Sequence, residues 1–194
     1  MKFLYLMRHG KAEADSAGSD ADRQLSAKGE EQVRLVSTWF KSRNHAPQKI
    51  ISSHASRAYT TAALLARELD IPQDKIDIQK AVYHGDEQTL EELIQYTDDT
   101  IEFLLMVGHN PAISDLASLF FQPAINGLPT AGLAVVTFDM DSWKSIGRNK
   151  VQSSAVVLPN LDKPEPNRKE FVILRDGNSN YRTQKKHCRR AELL

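Results

Sequence analysis

Four side chains able to handle a phosphoryl group stand at three separate places in the sequence. They are Arg8 and His9 in FLYLMRHGKAE, Arg57 in SSHASRAYTTA, and His109 in VGHNP. Each place has the same design: a short apolar run ends, and a cation or an imidazole follows. Guanidinium forks bind phosphate oxygens bidentately. One imidazole can attack phosphorus as a nucleophile. The other groups would then balance charge on the oxygens of the transition state, where most phosphoryl-transfer catalysis lies. Arg57 adds a hint of its own. A cation at the start of a helix opposes the helix dipole unless an anion sits there.

The elements that must position these residues follow from hydrophobic spacing. Residues 2–7, 49–53 and 101–107 read as buried strands, with a shorter one near 76–79. Residues 27–42 read as a helix with Val33, Val36, Trp39 and Phe40 on its apolar side. Residues 56–69 and 112–121 read as further helices. Thr89 followed by Glu92 suggests a capping box for a helix over 89–96. Residues 133–138 and 154–158 are strands that could pair as neighbours, and EFVIL could add a short one. Strands alternating with helices predict an α/β fold, a three-layer α/β/α sandwich with a mostly parallel central sheet. In such sheets ligands bind outside the carboxyl ends of the strands. If the three strands are neighbours, all four side chains meet in one pocket. The helix N-termini at 56 and 112 would then point N–H groups at the same anion.

The composition narrows the function classes. Lys plus Arg equals Asp plus Glu at 25 each in 194 residues. That balance argues against nucleic acid or an anionic membrane as the main partner. No apolar run approaches the roughly 20 residues of a membrane-spanning helix, and the start does not read as a signal peptide. The single cysteine, Cys188, leaves no intrachain disulfide and no cysteine zinc site. A cytoplasmic protein is the expectation. Neither a GxGxxG nor a Walker A loop occurs, so no nucleotide cofactor is expected, and no metal. The chain divides into a domain over 1–159 and a charged extension over 160–194. That extension opens on the proline-rich PNLDKPEPNRKE, and its basic end, 175–194, is expected to be poorly ordered.

LMRHGKAE, LSAKGEEQ, SSHASRAYTTA and VGHNP, in that order, resemble the histidine phosphatase superfamily, also called phosphoglycerate mutase-like. VGHNPAISDLA and LPTAGLAVVTFD are most similar to its phosphohistidine phosphatase branch. The resemblance implies that His9 is the nucleophile, attacking through Nε2 with Nδ1–H tied to a backbone carbonyl. It implies that Arg8 and Arg57 hold the phosphoryl oxygens and that His109 completes the pocket. Gly10 would let the backbone approach closely. The family wording before the second arginine is Ser-Pro; this chain has Ser53-His54, an extra imidazole that could touch substrate but reads more simply as a surface histidine in place of a turn proline.

Larger members place an acid after the second arginine to protonate the leaving group. Here Tyr83, His84, Asp86 and Glu87 are available, and none carries the family signature. Gly85-Asp86-Glu87 reads more simply as a turn. A phosphorylated imidazole needs no strong acid, since its free nitrogen takes a proton near pH 6.5. The expected function is therefore a protein-histidine phosphatase. It would act on histidine-containing phosphotransfer domains or phosphorelay proteins in signal transduction, and work as a monomer. A broad phosphomonoesterase and a non-catalytic phosphoprotein-binding module are the alternatives. Residues 12–24 and 122–132 are the segments long enough to frame the pocket, the first expected to be mobile.

Overall fold

The computed structural model describes residues 1–14, 18–159 and 171–175. Chain order begins β1 (Lys2–Arg8), α1 (Ala27–Arg43), β2 (Lys49–Ser52), α2 (Ser56–Glu68) and β3 (Ile76–Ile78). It continues α3 (Ala81–His84), α4 (Glu87–Gln95), β4 (Phe103–Gly108), α5 (Ala112–Leu119), β5 (Leu133–Phe138), β6 (Val151–Pro159) and β7 (Phe171–Arg175). The described strands make one sheet in the order β3-β2-β4-β1-β5-β6-β7. β1 to β4 pair in parallel, and β5, β6 and β7 are each antiparallel to the strand before them in that order. The fold is the expected α/β sandwich with a mostly parallel sheet.

Period-two alternation in the central strands sends side chains to both faces, and each face has its own core. Leu4, Leu6, Ile51, Leu104 and Met106 point one way and pack with Leu90, Ile94, Ile113 and Leu116 of α4 and α5. Tyr5, Met7, Ile50, Leu105 and Val107 point the other way and pack with Val33, Val36, Phe40, Ala62 and Leu65 of α1 and α2. A sheet buried on both faces accounts for the near-continuous apolar runs of β1 and β4.

β2, β4 and β1 are consecutive neighbours, as the pocket requires. Ser52 pairs with Val107, and Arg8 pairs with Gly108. The three strand ends are therefore level, and the segments that follow them leave from one edge.

One local reading is corrected. α4 begins at Glu87, before the expected 89, and its N-cap is Asp86 in place of Thr89. The Asp86 carboxylate accepts from the Thr89 N–H at 2.9 Å and from its hydroxyl at 2.8 Å. A carboxylate is the stronger N-cap acceptor here and carries charge suited to the helix dipole. The expected strand at EFVIL is borne out over its described part: β7 runs Phe171–Arg175 and extends the sheet beyond Pro159. The expected linker and disordered tail fall on 160–170 and 176–194, which lie outside the described residues. Among the described residues no helix is long and apolar enough to cross a membrane.

Candidate active site

Arg8 ends β1 and His9 follows it, on a turn held from two sides. His9 N–H donates to the Gly108 carbonyl at 3.1 Å, and Ala131 N–H donates to the carbonyls of Arg8 and His9 at 3.1 Å each. Ala131 adopts φ 56, a left-handed conformation that a non-glycine residue takes at a cost of order 1 kcal/mol. Gly10 N–H donates to Thr61 Oγ1 at 3.0 Å, and Thr61 in turn donates to the Arg57 carbonyl at 2.7 Å. Thr61 thus ties the His9 turn to the first turn of α2.

Gly10 is needed for packing against α1. A Cβ there would meet the Gly29 carbonyl oxygen at 2.8 Å, and one at Gly29 would meet the Lys11 oxygen at 2.2 Å. Two glycines back to back let α1 touch the loop that carries His9. A side chain at Gly10 would run into α1, and Gly10 is not among the residues that line the cleft.

His9 is buried at 8% exposure. Its Nδ1 lies 2.7 Å from the Gly10 carbonyl oxygen. A carbonyl only accepts, so Nδ1 carries the proton and Nε2 keeps a lone pair. Arg57, 6% exposed, donates from Nε to that lone pair at 3.2 Å. Burial, with the positive charges of Arg57, Arg8 and Arg23, pushes the His9 pKa down to about 4. His109 follows β4. Its ring centre is 4.9 Å from that of His9, and its Nε2 is 2.9 Å from Ser53 Oγ. Burial and the cations beside it push its pKa down to about 3. Both imidazoles are neutral near pH 7, as a nucleophile must be.

Arg8 reaches the same cleft from β1. Its Nη1 donates to the Leu128 carbonyl at 3.1 Å, while its Nε is buried with no partner among the described residues. An unsatisfied buried donor costs roughly 1–3 kcal/mol. The cleft is about 350 Å³ and is lined by Arg8, His9, Arg57 and His109 together with Lys11, Arg23 and Thr130. All four residues singled out in the sequence converge here.

Three further participants were not singled out for the cradle. Asp20, on the loop 18–24, accepts from Arg57 Nη2 at 2.7 Å, from the Tyr83 hydroxyl at 2.7 Å and from Arg23 Nη1 at 3.1 Å. The Tyr83 and arginine donors hold its carboxyl far below the usual carboxylate range. Tyr83 stands edge-on to His109 at 5.1 Å. The 18–24 segment is therefore tethered where mobility was expected. Nothing in its small, polar sequence announced a carboxylate aimed at an arginine 37 positions away.

His54 is half-buried beneath Tyr83, at 5.1 Å between rings, and lies outside the cleft lining, so it is not the surface histidine expected. Asp86 is committed to its cap. His84 joins the Tyr83 ring at 4.6 Å. Glu87 opens α4.

Comparison with known proteins gives three kinds of likeness. The model of the histidine phosphatase superfamily (branch 1) matches residues 4–93. Phosphohistidine phosphatase SixA of Escherichia coli strain K12 is 27% identical over 138 residues, covering 70% of this chain and 85% of the relative. Adenosylcobalamin/alpha-ribazole phosphatase of Salmonella typhimurium is 34% identical over 87 residues, covering 43% of this chain and 42% of the relative. A solved structure of the protein histidine phosphatase SixA complexed with tungstate has a TM-score of 0.64 at 25% identity. It covers 71% of this chain and 88% of its own.

Proposed function

We propose that this chain, which is similar to the histidine phosphatase superfamily over residues 4–93 and to SixA over much of its length, removes phosphoryl groups from phosphohistidine in phosphotransfer proteins. The observation that carries this reading is the state of His9. Its Nε2 lone pair faces the guanidinium of Arg57, while Nδ1–H is engaged by Gly10.

The phosphoryl group sits between Arg8, Arg57 and His109, and His9 Nε2 attacks phosphorus. The phosphorus–nitrogen bond to the substrate imidazole breaks, and that imidazole leaves with the electron pair, neutral if its second nitrogen already carried a proton. Water then attacks phospho-His9, releasing inorganic phosphate and restoring the Nε2 lone pair. Arg8 and Arg57 stabilise the charge on the equatorial oxygens in both steps.

The leaving group decides the substrate class. An alkoxide needs a strong proton donor; an imidazole, with a reference pKa near 6.5, does not. Asp20 is the carboxyl bonded to Arg57, and its bonds to Tyr83, Arg57 and Arg23 favour its ionised form over a proton-donating one. This favours a nitrogen leaving group. Phosphorelay proteins phosphorylated on histidine are the expected partners.

A phosphomonoesterase is the second reading, favoured by the match to adenosylcobalamin/alpha-ribazole phosphatase over part of the chain. Comparing kcat/KM for a phosphohistidine domain with that for several phosphomonoesters separates the two. A strong preference for the phosphohistidine domain, with an acid-labile phosphoenzyme that disappears in His9→Ala, supports the first reading. A large preference for the esters overturns it.

A further inference from the structure

Ser53 lies outside the cradle that faces the cleft, yet it is fully buried and bonded to one of the cradle's members. It follows β2, and its N–H donates to the Val107 carbonyl of β4 at 3.2 Å. Its hydroxyl oxygen has two partners among the described residues. The Ala55 N–H donates to it at 3.2 Å, and His109 Nε2 lies 2.9 Å away.

A serine hydroxyl has one proton to give and two lone pairs to offer. If His109 carried its proton on Nε2, Ser53 Oγ would accept two N–H bonds, and its own buried proton would have nowhere to go. A buried unpaired donor of this kind is disfavoured. If Ser53 instead donates to Nε2 while accepting from Ala55, every group at this junction is satisfied. His109 must then carry its proton on Nδ1.

The other edge of the ring faces Arg57. His109 Nδ1 is 3.5 Å from Arg57 Nη2. A guanidinium only donates, and 3.5 Å is too long for a good hydrogen bond. Two N–H groups at that spacing flank a position that one oxygen of a dianion can fill, receiving a bond from each.

We propose that Ser53 is a positioning residue that holds His109 as its Nδ1–H tautomer, so that the uncharged imidazole donates to a phosphoryl oxygen alongside Arg57. The proposal rests on reading the cleft as a phosphoryl site; it does not depend on which leaving group the substrate carries. Because His109 is held neutral near pH 7 by burial and neighbouring cations, its tautomer decides whether it presents a proton or a lone pair to the anion. A lone pair there would repel the oxygen that the arginines attract.

The test uses the full chain labelled with ¹⁵N-histidine and tungstate as an inert phosphoryl mimic. Long-range ¹H–¹⁵N correlation spectra report which ring nitrogen of His109 is protonated, and titration gives tungstate affinity. The expected result is an Nδ1–H tautomer in the wild type. In Ser53→Ala that preference is lost and tungstate affinity falls about ten- to a hundredfold, as for a lost hydrogen bond to a charged group. Ser53→Cys, a weaker donor of similar size, falls between the two. An Nε2–H tautomer in the wild type overturns the proposal whatever the variants do. So does a Ser53→Ala protein that keeps both the wild-type tautomer and its tungstate affinity. A failed preference for phosphohistidine would overturn the substrate reading and leave these spectra and affinities unchanged.

Discussion

Arg57 Nε donates to the Nε2 lone pair of His9 across 3.2 Å, so the nucleophile's attacking atom is covered by a residue that must also clamp the phosphoryl group. The same guanidinium is bonded through Nη2 to Asp20. One arginine therefore joins the nucleophile to a carboxylate. A bound dianion has to draw donors away from both, which gives the first two predictions.

Arg57→Lys keeps the charge and loses the planar fork. A lysine ammonium cannot span Nε2 of His9, Asp20 and a phosphoryl oxygen at once. The expected loss in kcat/KM is roughly a hundred- to a thousandfold, the scale for removing a preorganised donor to developing charge. Steady-state kinetics on the preferred substrate check this, with thermal denaturation confirming the fold.

Asp20→Asn removes a negative charge that competes with the dianion for Arg57. Tungstate and inorganic phosphate should bind tighter, by about three- to tenfold at low ionic strength, with the gain shrinking as salt is added. The modest size reflects a half-exposed carboxylate screened by water. Isothermal titration at two salt concentrations measures it, and weaker binding in the variant would refute competition.

The two neutral histidines make stability depend on pH. In the unfolded chain each takes up a proton near 6.5. In the folded protein His9 does so only at about 4 and His109 at about 3. Between those values the unfolded state binds more protons, so stability falls as pH drops from 6.5 towards 4. The expected loss between pH 7 and 5 is on the order of 4 kcal/mol from the pair. Urea denaturation at the two pH values reads it. His9→Ala should flatten the slope, and NMR titration should show neither ring charging above pH 5.

Gly29→Ala tests the helix contact behind the nucleophile. In an ordinary helix this change stabilises by up to about 1 kcal/mol. Here the new Cβ would lie 2.2 Å from the Lys11 oxygen and 2.7 Å from Leu25 Cδ1. We expect a loss of about 2 kcal/mol from overpacking, together with lower activity, because the displaced loop carries His9. A variant as stable as the wild type would show that α1 can retreat freely.

Much of this molecule was legible before folding was considered. The apolar runs ending in Arg8-His9, in Ser53 and in Gly108-His109 announced buried strands delivering polar side chains, because a run of Leu, Ile, Val and Met has to leave water and a charge has to stay near it. The helix over 56–68 was read to within one residue, since its apolar spacing is strong and uninterrupted. The start of α4 was misread because Asp86 and Thr89 both offer cap chemistry, and only the backbone path selects between them.

The sequence by itself determined the reactive side chains and the strand ends that carry them, because side-chain chemistry and hydrophobic periodicity are local properties. Tertiary structure alone decided that β4 lies between β2 and β1, bringing His109 beside His9 and Arg57. It alone brought Asp20 and Tyr83 to Arg57 and set Ser53 against His109. Those pairings are bonds of about 3 Å between residues tens of positions apart. Their formation depends on how the whole sheet packs, and no local pattern of residues records it.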